Sequence, residues 1–238
     1  ALDAHPEAWF ATGKIYRAGQ ENVLDGTFDA ISRAACPWRC GQGRTDGPQW
    51  SVPCAIDMAP CTAALFRREL FTRVGLLDQR FESYLEDVDF GLRCVLAGCR
   101  GRYVPEATCR HWGSATLGVW NSETVRLLAR NQMFLVAKHY PRDWPLRFGW
   151  PVLAGQLLWG LVAARHGCAR AYLRGKWEGI GRFDSIRADG PRHSSQEGDL
   201  LDFLHASERL IGRLQRTGSA SPSAVEMDWY WRLYFALT

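Results

Sequence analysis

Several features that would place this sequence at once in a well-known class are missing from it. Before residue 60 there is no glycine-rich phosphate loop and no alternation of strands and helices, which excludes a complete doubly wound nucleotide-binding domain from that stretch. Neither a methionine nor a secretory leader opens the chain. We therefore expect that an amino-terminal portion of the protein precedes Ala1.

A strong excess of charge of one sign is also lacking. The 238 residues carry 29 Lys and Arg against 25 Asp and Glu, a formal net charge of +4. A nucleic-acid-binding protein usually shows a basic stripe, and the basic residues here are scattered, so we predict no nucleic-acid partner. They become denser after residue 126, which is more typical of contact with an anionic membrane surface or a phosphorylated ligand.

No long uninterrupted hydrophobic run occurs. The most apolar segment, Phe148–Ala164, has 17 residues and is broken by glycines, by Pro151 and by Gln156. Its length is at the short limit for crossing a bilayer. Basic residues flank it, namely Arg147, Arg165, His166 and Arg170. The pattern favours a helix lying in the membrane interface within residues 143–170, with a buried core helix or a true membrane span as the alternatives.

Eight cysteines are present, and in the absence of a leader we expect them to be reduced. Four of them could offer thiolates to zinc: Cys36, Cys40, Cys54 and Cys61. Their spacing is a CxxxC pair followed by two single cysteines, whereas zinc-binding domains typically carry paired knuckles. Buried or loop thiols are therefore the favoured interpretation, and zinc is the alternative.

Regular structure is expected to increase along the chain after a stretch rich in glycine and proline. Residues 13–17 predict a short strand, and residues 18–53 predict loops with short strands. Apolar residues then recur at helical spacing from Phe66 to Val74, which predicts a helix that ends at Gly75.

A second helix is predicted where the acidic segment 82-ESYLEDVDFGLRC-94 begins, with Asp87 and Asp89 in its first turn and Gly98 after its end. Residues 102–111 predict a strand and a second extended piece that ends at His111. Ser122 is the predicted cap of a long helix that reaches about His139.

The acidic segment needs an explanation because like charges repel. Four carboxylates stand within eight residues: Glu82, Glu86, Asp87 and Asp89. An acidic helix N-terminus is the plainest interpretation. However, apolar and aromatic residues stand on both sides of these acids, which places the carboxylates at the edge of a core instead of on a solvated face.

An ordered series of short motifs surrounds this segment between residues 59 and 114. It comprises a predicted small-residue strand, Thr62-Ala63-Ala64, followed by Arg67-Arg68, Val74-Gly75-x-x-Asp78, Phe81-x-x-Tyr84-x-Glu86-Asp87-x-Asp89-x-x-x-Arg93, Gly98, Val104-Pro105-x-Ala107 and His111. The series resembles the acceptor-side half of a family 2 glycosyltransferase with the GT-A fold, of the bacterial rhamnosyltransferase and galactofuranosyltransferase type. The resemblance implies an α/β fold with a mixed sheet over residues 1–120 and a mainly helical region over residues 121–238.

The resemblance also implies roles for particular residues. Asp87 matches the catalytic base of the family, which accepts the proton of the acceptor hydroxyl during an inverting transfer. Glu86 would hold the acceptor or orient Asp87. Asp89 would support substrate binding or form an ordinary helical ion pair with Arg93, which is the favoured interpretation. The remaining substrate-binding candidates are Thr62, Ala63, Trp112 and Ser114. Trp112 and Ser114 would lie on a loop that closes over the donor phosphates. The alternative for Trp112 is a structural role, in which its side chain packs against the rest of the protein.

His111 matches the family histidine that completes a site for Mn²⁺ or Mg²⁺, the divalent metal that draws charge from the leaving diphosphate. The family's Asp-x-Asp metal motif does not occur before residue 87, so we expect the nucleotide-binding half to lie upstream of Ala1. Asp87-Val-Asp89 could itself be that motif, but residues 1–80 do not predict the strands and helices that should precede it. The Gln-x-x-Arg-Trp signature of processive relatives is absent as well.

The expected function is therefore a non-processive transfer of a sugar from a nucleotide-diphosphate donor to a hydroxyl of a lipid-linked or polysaccharide acceptor, at the cytoplasmic face of a membrane. One alternative is a truncated relative that binds glycans or a protein without catalysis. A hydrolase with paired carboxylates is disfavoured, because the side chains of the adjacent Glu86 and Asp87 diverge. Assembly into a homo-oligomer stays open.

Overall fold

The computed structural model describes residues 1–113, 118, 120–189, 197–216 and 222–238, with side chains from residue 200 and from residue 228 onward in the last two ranges. The strands are β1 (Phe10–Arg17), β2 (Leu24–Gly26), β3 (Asp29–Ile31), β4 (Pro37–Arg39), β5 (Cys54–Ile56), β6 (Ala64–Phe66) and β7 (Gly101–His111). The helices are α1 (Arg68–Val74), α2 (Glu86–Leu96), α3 (Ser122–His139), α4 (Trp144–Arg147), α5 (Gly149–Arg165), α6 (Ala169–Gly181), α7 (Phe183–Ala188), α8 (Glu197–Gln215) and α9 (Pro222–Leu237).

A mixed sheet is built around β1, which lies parallel to β7 and antiparallel to β2 and β6. β5 extends the sheet on the far side of β7. β3 and β4 form a separate two-stranded hairpin. A mixed sheet followed by a helical carboxy-terminal region is what the sequence predicted; the division at residue 120 stays a prediction.

The strand β7 is irregular in its middle, as the sequence pattern suggested. Its pairing with β1 jumps from Gly13↔Val104 to Lys14↔Thr108, so three residues of β7 have no partner there. Pro105 stands at the start of this bulge, and proline has no N–H to donate to a neighbouring strand. The bulge lets the strand resume pairing up to His111, opposite Arg17.

Two predicted boundaries differ in the structure. The helix α3 is capped by Asn121, whose side-chain oxygen accepts the Glu123 N–H at 2.8 Å, and Ser122 is its first helical residue. Asparagine and serine are equally favourable N-cap residues, so the sequence alone could not show which of the neighbours Asn121 and Ser122 caps the helix. The predicted small-residue strand begins at Ala64, because Thr62 and Ala63 belong to the turn before it.

The helices pack on the sheet and on one another through two main apolar clusters. In the first, Phe10 and Tyr103 of the sheet meet Leu158 of α5, Ile211 of α8 and Tyr230 of α9. The second cluster joins the buried face of α2 to α3, through residues that include Val88, Leu92, Phe134 and Leu135. The start of α2 therefore lies between the sheet and the helical region.

The apolar segment predicted at 148–164 forms α5. Among the helices that the structure describes, none is both long enough and apolar enough to span a bilayer. One face of α5 is buried, as Val152, Ala154, Leu158 and Val162 show, so this helix also belongs to the folded core.

The packing of α6 on α3 leads to a stability prediction. A Cβ added to Gly175 would lie 2.2 Å from the carbonyl oxygen of Arg126 in α3. Because backbone cannot move aside easily, Gly175→Ala should lower the free energy of unfolding by about 2–3 kcal/mol, measured by urea denaturation. Gly181→Ala is the matched control, since nothing lies within 4 Å of its added Cβ. Equal stability of the two variants would show that α3 and α6 do not pack this closely.

Candidate functional site

The acidic segment forms a strained turn followed by the first turn of α2. Glu82, Tyr84 and Leu85 have φ values of 62°, 68° and 67°, a left-handed conformation that costs about 1–3 kcal/mol for each residue other than glycine. Leu85 is the N-cap residue and makes no side-chain capping bond. Residues in such conformations persist only where their surroundings hold them, and they cluster at functional sites.

Two buried residues of α3 hold this turn. The Asn131 amide nitrogen lies 2.8 Å from the Phe81 carbonyl oxygen, 2.9 Å from that of Ser83 and 2.7 Å from that of Tyr84. Beside it, Arg130 donates to the Phe81 carbonyl at 2.9 Å and pairs with Glu82 at 2.6 Å. Glu82 is therefore a structural acid, directed toward α3.

Asp87 is fixed by contacts from three sides. Its Oδ1 accepts the N–H of Val88 at 2.9 Å, and its Oδ2 lies 3.4 Å from the backbone nitrogen of Cys61. The same Oδ2 stands 3.5 Å from Nη2 of Arg39. The carboxylate remains partly exposed, with 14% of the side-chain surface accessible. It is therefore oriented by the protein and still reachable from solvent.

Arg39 is the central cation of the site. Its Nε lies 3.2 Å from Asp29, its cross-strand partner in the β3–β4 hairpin, and its Nη1 donates to Thr62 Oγ1 at 3.2 Å. Its aliphatic stem lies on Gly26, where an added Cβ would come within 2.2 Å of the Arg39 Cγ. Position 26 therefore needs a glycine for Arg39 to approach Asp87.

The pKa values of two carboxylates near Arg39 are raised. Burial raises the pKa of Asp29; the charge of Arg39 opposes the shift, and the charge of Asp87 adds to it. Burial likewise raises the pKa of Glu86. The Glu86 Oε2 is buried and has no hydrogen-bond partner among the residues that the structure describes, an uncommon state for a carboxylate oxygen. Such an oxygen can accept a hydrogen bond from a ligand hydroxyl or, when protonated, donate a hydrogen bond to that hydroxyl.

His111 lies at the end of β7 beside a second buried acid. Its Nδ1 is 2.8 Å from Oδ2 of Asp25, whose side chain is only 5% exposed. Arg17 lies on the other side of Asp25, at 3.8 Å. Asp25 directly precedes Gly26, the residue on which Arg39 rests. A series of neighbours, Asp25, Gly26 and Arg39, thus leads from His111 to Asp87, and no direct contact between these two residues occurs in the described part of the chain.

Asp89 lies outside this accessible region. Its side chain is completely buried, and its carboxylate contacts Lys138 at 2.8 Å, His139 at 2.8 Å and Arg93 at 3.1 Å. The helical ion pair with Arg93 is present, as favoured from the sequence. With no exposed surface, Asp89 joins α2 to α3 and has no access to a substrate, in contrast to the substrate-binding role predicted for it.

The remaining predicted residues have diverse surroundings. Thr62 contacts Arg39, as described above, and the Ala63 carbonyl accepts a hydrogen bond from Thr12 Oγ1 at 2.8 Å. Trp112 is 74% exposed, so the alternative of structural packing does not apply to most of its surface. Ser114 lies outside the described residues.

In the part of the chain that the structure describes, no group of three or more His, Cys, Asp and Glu side chains could hold a metal ion. The alternative of a zinc site made by cysteines is therefore not supported. All eight cysteines are free, with Cys36 and Cys40 buried and Cys61 exposed. His111 and Asp25 form a histidine with an orienting carboxylate, an arrangement common among metal ligands, but they do not complete a site by themselves.

Sequence reasoning missed the residues that organise the site: Asp25, Asp29, Arg39, Arg130 and Asn131. The first three lie in the stretch predicted as loops. Arg39 stands inside the Cys36–Cys40 segment, where its cysteine neighbours suggested zinc. Asn131 lies in the middle of a helix at a position that faces the core. A polar residue at such a position was the available sign that its side chain binds another part of the protein.

Comparison with known proteins supports a distant relationship to a glycosyltransferase. No model of a protein family matches the chain. The chain is 35% identical over 91 residues to N-acetylglucosaminyl-diphospho-decaprenol L-rhamnosyltransferase of Mycobacterium tuberculosis, in strains CDC 1551 / Oshkosh and ATCC 25618 / H37Rv. The matched part covers 35% of this chain and 29% of that protein. The similarity is thus partial on both sides, and it indicates a glycosyltransferase relative.

The Asp89 cluster leads to a prediction about stability. Asp89→Asn should lower the free energy of unfolding by about 3 kcal/mol at pH 7, because it leaves buried cations uncompensated. Asp143→Asn, which breaks the half-exposed pair with Arg147, is the control and should cost less than about 1 kcal/mol. A similar small loss in both variants would contradict the buried network.

The destabilisation caused by Asp89→Asn should also depend on pH. Burial raises the pKa of Asp89, but the His139 hydrogen bond and the charges of His139, Lys138 and Arg93 outweigh it and lower the pKa to about 2. Because the pKa is depressed in the folded state, the stabilisation is complete above the unfolded value of about 4 and is lost as the pH falls toward 2. The stability gap between wild type and Asp89→Asn should therefore narrow over that interval in urea titrations.

Proposed function

We propose that this chain forms the acceptor-side part of an inverting, non-processive glycosyltransferase with a GT-A fold. The enzyme would move a sugar from a nucleotide-diphosphate donor to a hydroxyl of a lipid-linked or cell-surface polysaccharide acceptor. The observation that carries the proposal is the pair at the start of α2: an oriented and reachable Asp87 carboxylate follows Glu86, whose buried oxygen has no partner within the described part of the chain. The partial similarity to a rhamnosyltransferase supports it.

In this proposal Asp87 is the catalytic base. The acceptor oxygen attacks the anomeric carbon, the bond from that carbon to the diphosphate oxygen breaks, and Asp87 takes the hydroxyl proton as the new bond forms. The Val88 N–H and Arg39 hold the carboxylate in one orientation, which reduces the loss of conformational freedom in the transition state. Arg39 acts through Asp87 and is a positioning residue.

Glu86 binds the acceptor in this proposal. Its raised pKa and unpartnered Oε2 suit a hydrogen bond to a second hydroxyl of the acceptor sugar. Such a bond would satisfy a buried polar atom that is otherwise costly to leave unpaired. Thr62 accepts a hydrogen bond from Arg39, the cation that also contacts Asp87, and therefore borders the same region.

His111 is proposed to be a ligand of Mn²⁺ or Mg²⁺. A carboxylate accepts hydrogen bonds, so Asp25 fixes the proton on Nδ1 of His111 and leaves the lone pair on Nε2. A metal bound there would neutralise charge on a departing diphosphate. The described residues supply only this one ligand and its orienting acid. Trp112, exposed next to His111, is proposed to contact the donor.

The proposed acceptor rests on the similarity to the rhamnosyltransferase described above, whose name specifies an N-acetylglucosaminyl-diphospho-decaprenol acceptor. We extend that class of acceptor, and a rhamnose-like donor sugar, to this chain. An enzyme with such an acceptor would work at the cytoplasmic face of a membrane, without a spanning helix among the described residues.

Replacing the proposed base tests the function directly. In the gene product that carries this chain, Asp87→Asn should lower kcat for sugar transfer by about 100-fold or more and leave KM for the donor nearly unchanged, because the base acts in the transition state. Glu69→Gln, an exposed acid in the first turn of α1, is the matched control and should keep full activity. Wild-type turnover by Asp87→Asn would reject the assignment.

The role of His111 can be tested by measuring the binding of donor sugars, without measuring sugar transfer. In calorimetric titrations with uridine and deoxythymidine diphosphosugars, His111→Ala should abolish the gain in affinity that Mn²⁺ confers, and Asp25→Asn should weaken it about 10- to 100-fold. His5→Ala, at an exposed histidine beside Glu7, is the control. An unchanged effect of Mn²⁺ in His111→Ala would contradict its ligand role. Sugar binding without metal dependence or transfer in wild type would favour a non-catalytic glycan-binding protein.

A further inference from the structure

Two neighbouring helices expose an unusual amount of apolar surface. Along α5 the exposed side chains are Trp150, Leu153, Leu157 and Leu161, with between 51% and 62% of their surface accessible. Along α6 they are Leu173, Trp177 and Ile180, with 65%, 78% and 56% accessible. The spacing within each set is three or four residues, so each set forms one stripe on its helix. Together we name these seven residues the α5–α6 face.

The two stripes form one surface. Leu157 and Leu161 of α5 and Leu173 of α6 line a single shallow groove between the helices. At Gly160 the two helices approach closely, since an added Cβ would lie 2.9 Å from the Tyr172 ring. Contiguous exposed apolar surface of this kind is rare on soluble proteins and marks a contact site.

Charge at the α5–α6 face is of one sign. Arg165 follows Leu161 by four residues and Arg170 precedes Leu173 by three, so both stripes end in an arginine at the turn between the helices. Both arginines are exposed, and no ion pair to either occurs among the described residues. Glu178 is the only acidic residue between positions 144 and 183, and it is paired with Arg126 and Arg174.

We propose that the α5–α6 face docks on an anionic lipid bilayer, with both helices lying in the plane of the interface. The leucines and tryptophans would enter the region between headgroups and acyl chains, where tryptophan is favoured. The arginines would extend from the ends of the stripes to lipid phosphates. This surface does not depend on the proposed transfer chemistry, and it could be present in a protein without that activity.

A second copy of the chain fits the α5–α6 face less well. In a two-fold dimer the same surface meets itself, and among the described residues of α5 and α6 the one carboxylate, that of Glu178, is already paired with Arg126 and Arg174. Burying unpaired cations in a protein interface is costly. At a bilayer, the same arginines meet phosphate groups that remain hydrated.

Flotation with lipid vesicles tests the proposal on the whole chain. Wild-type protein should bind vesicles of phosphatidylcholine with about one third phosphatidylglycerol at least tenfold more tightly than vesicles of phosphatidylcholine alone, because each arginine near the anionic surface contributes. The double variant Leu157→Gln, Trp177→Gln should lose at least tenfold of this binding. Leu76→Gln is the matched control, since Leu76 is 74% exposed and lies outside the face; it should bind as wild type does.

The contribution of charge is tested separately. Arg165→Gln with Arg170→Gln should reduce binding to the anionic vesicles about tenfold and leave the weak binding to neutral vesicles unchanged. All substituted side chains are exposed, so thermal unfolding should occur at the wild-type temperature and show that each variant is folded.

Three outcomes would overturn the proposal. The first is failure of the wild-type protein to bind anionic vesicles. The second is binding by the Leu157→Gln, Trp177→Gln variant that equals binding by the wild type. The third is a wild-type dimer in analytical ultracentrifugation that this variant abolishes while the variant still binds vesicles. The last result would assign the face to a second copy of the chain. Because none of these measurements involves sugar transfer, they are independent of whether the proposed enzymatic function is correct.

Discussion

The hold of α3 on the first turn of α2 is the constraint on which the candidate site depends. Near the middle of α3, Asn131 and Arg130 donate to backbone carbonyls of the left-handed turn before α2, and Arg130 also pairs with Glu82 of that turn. Two helical turns further along α3, Lys138 and His139 contact Asp89. Because both contacts come from the same rigid helix, the turn cannot relax without losing buried hydrogen bonds. Asp87 and Glu86 therefore extend from a helix end that is held on two sides.

This arrangement separates the acids of the segment by role. Glu82 and Asp89 are turned toward cations of α3 and are structural. Asp87, between them in sequence, is directed toward Arg39 and the turn at Cys61, and the neighbouring Glu86 interacts electrostatically with the same two residues. For Asp87, helical geometry explains the division, since this residue lies about 200° behind Asp89 on a helix that turns by about 100° per residue and therefore faces the other way.

The electrostatics of the site leave it ready for a proton-bearing ligand. Asp29, Glu86 and Asp87 are close enough to influence each other, and one guanidinium, that of Arg39, lies among them. Burial is the main reason that the pKa values of Asp29 and Glu86 are raised, and the charge of Asp87 adds to both shifts. A hydroxyl that donates to these carboxylates would relieve both the repulsion and the unpartnered oxygen of Glu86. The proposed acceptor supplies hydroxyls of that kind.

The sequence by itself determined the elements whose signal is local. The first turn of α2, the approximate extent of α3 and the two-part strand ending at His111 could all be read from periodicity, caps and composition. Only the tertiary structure decided that Asp25 stands beside His111, that Arg39 joins Asp29 to Asp87, and that Asp89 is buried among cations of α3. These contacts join residues between 10 and 86 positions apart. Local pattern carries no information about such distances, because the fold of the intervening chain sets them.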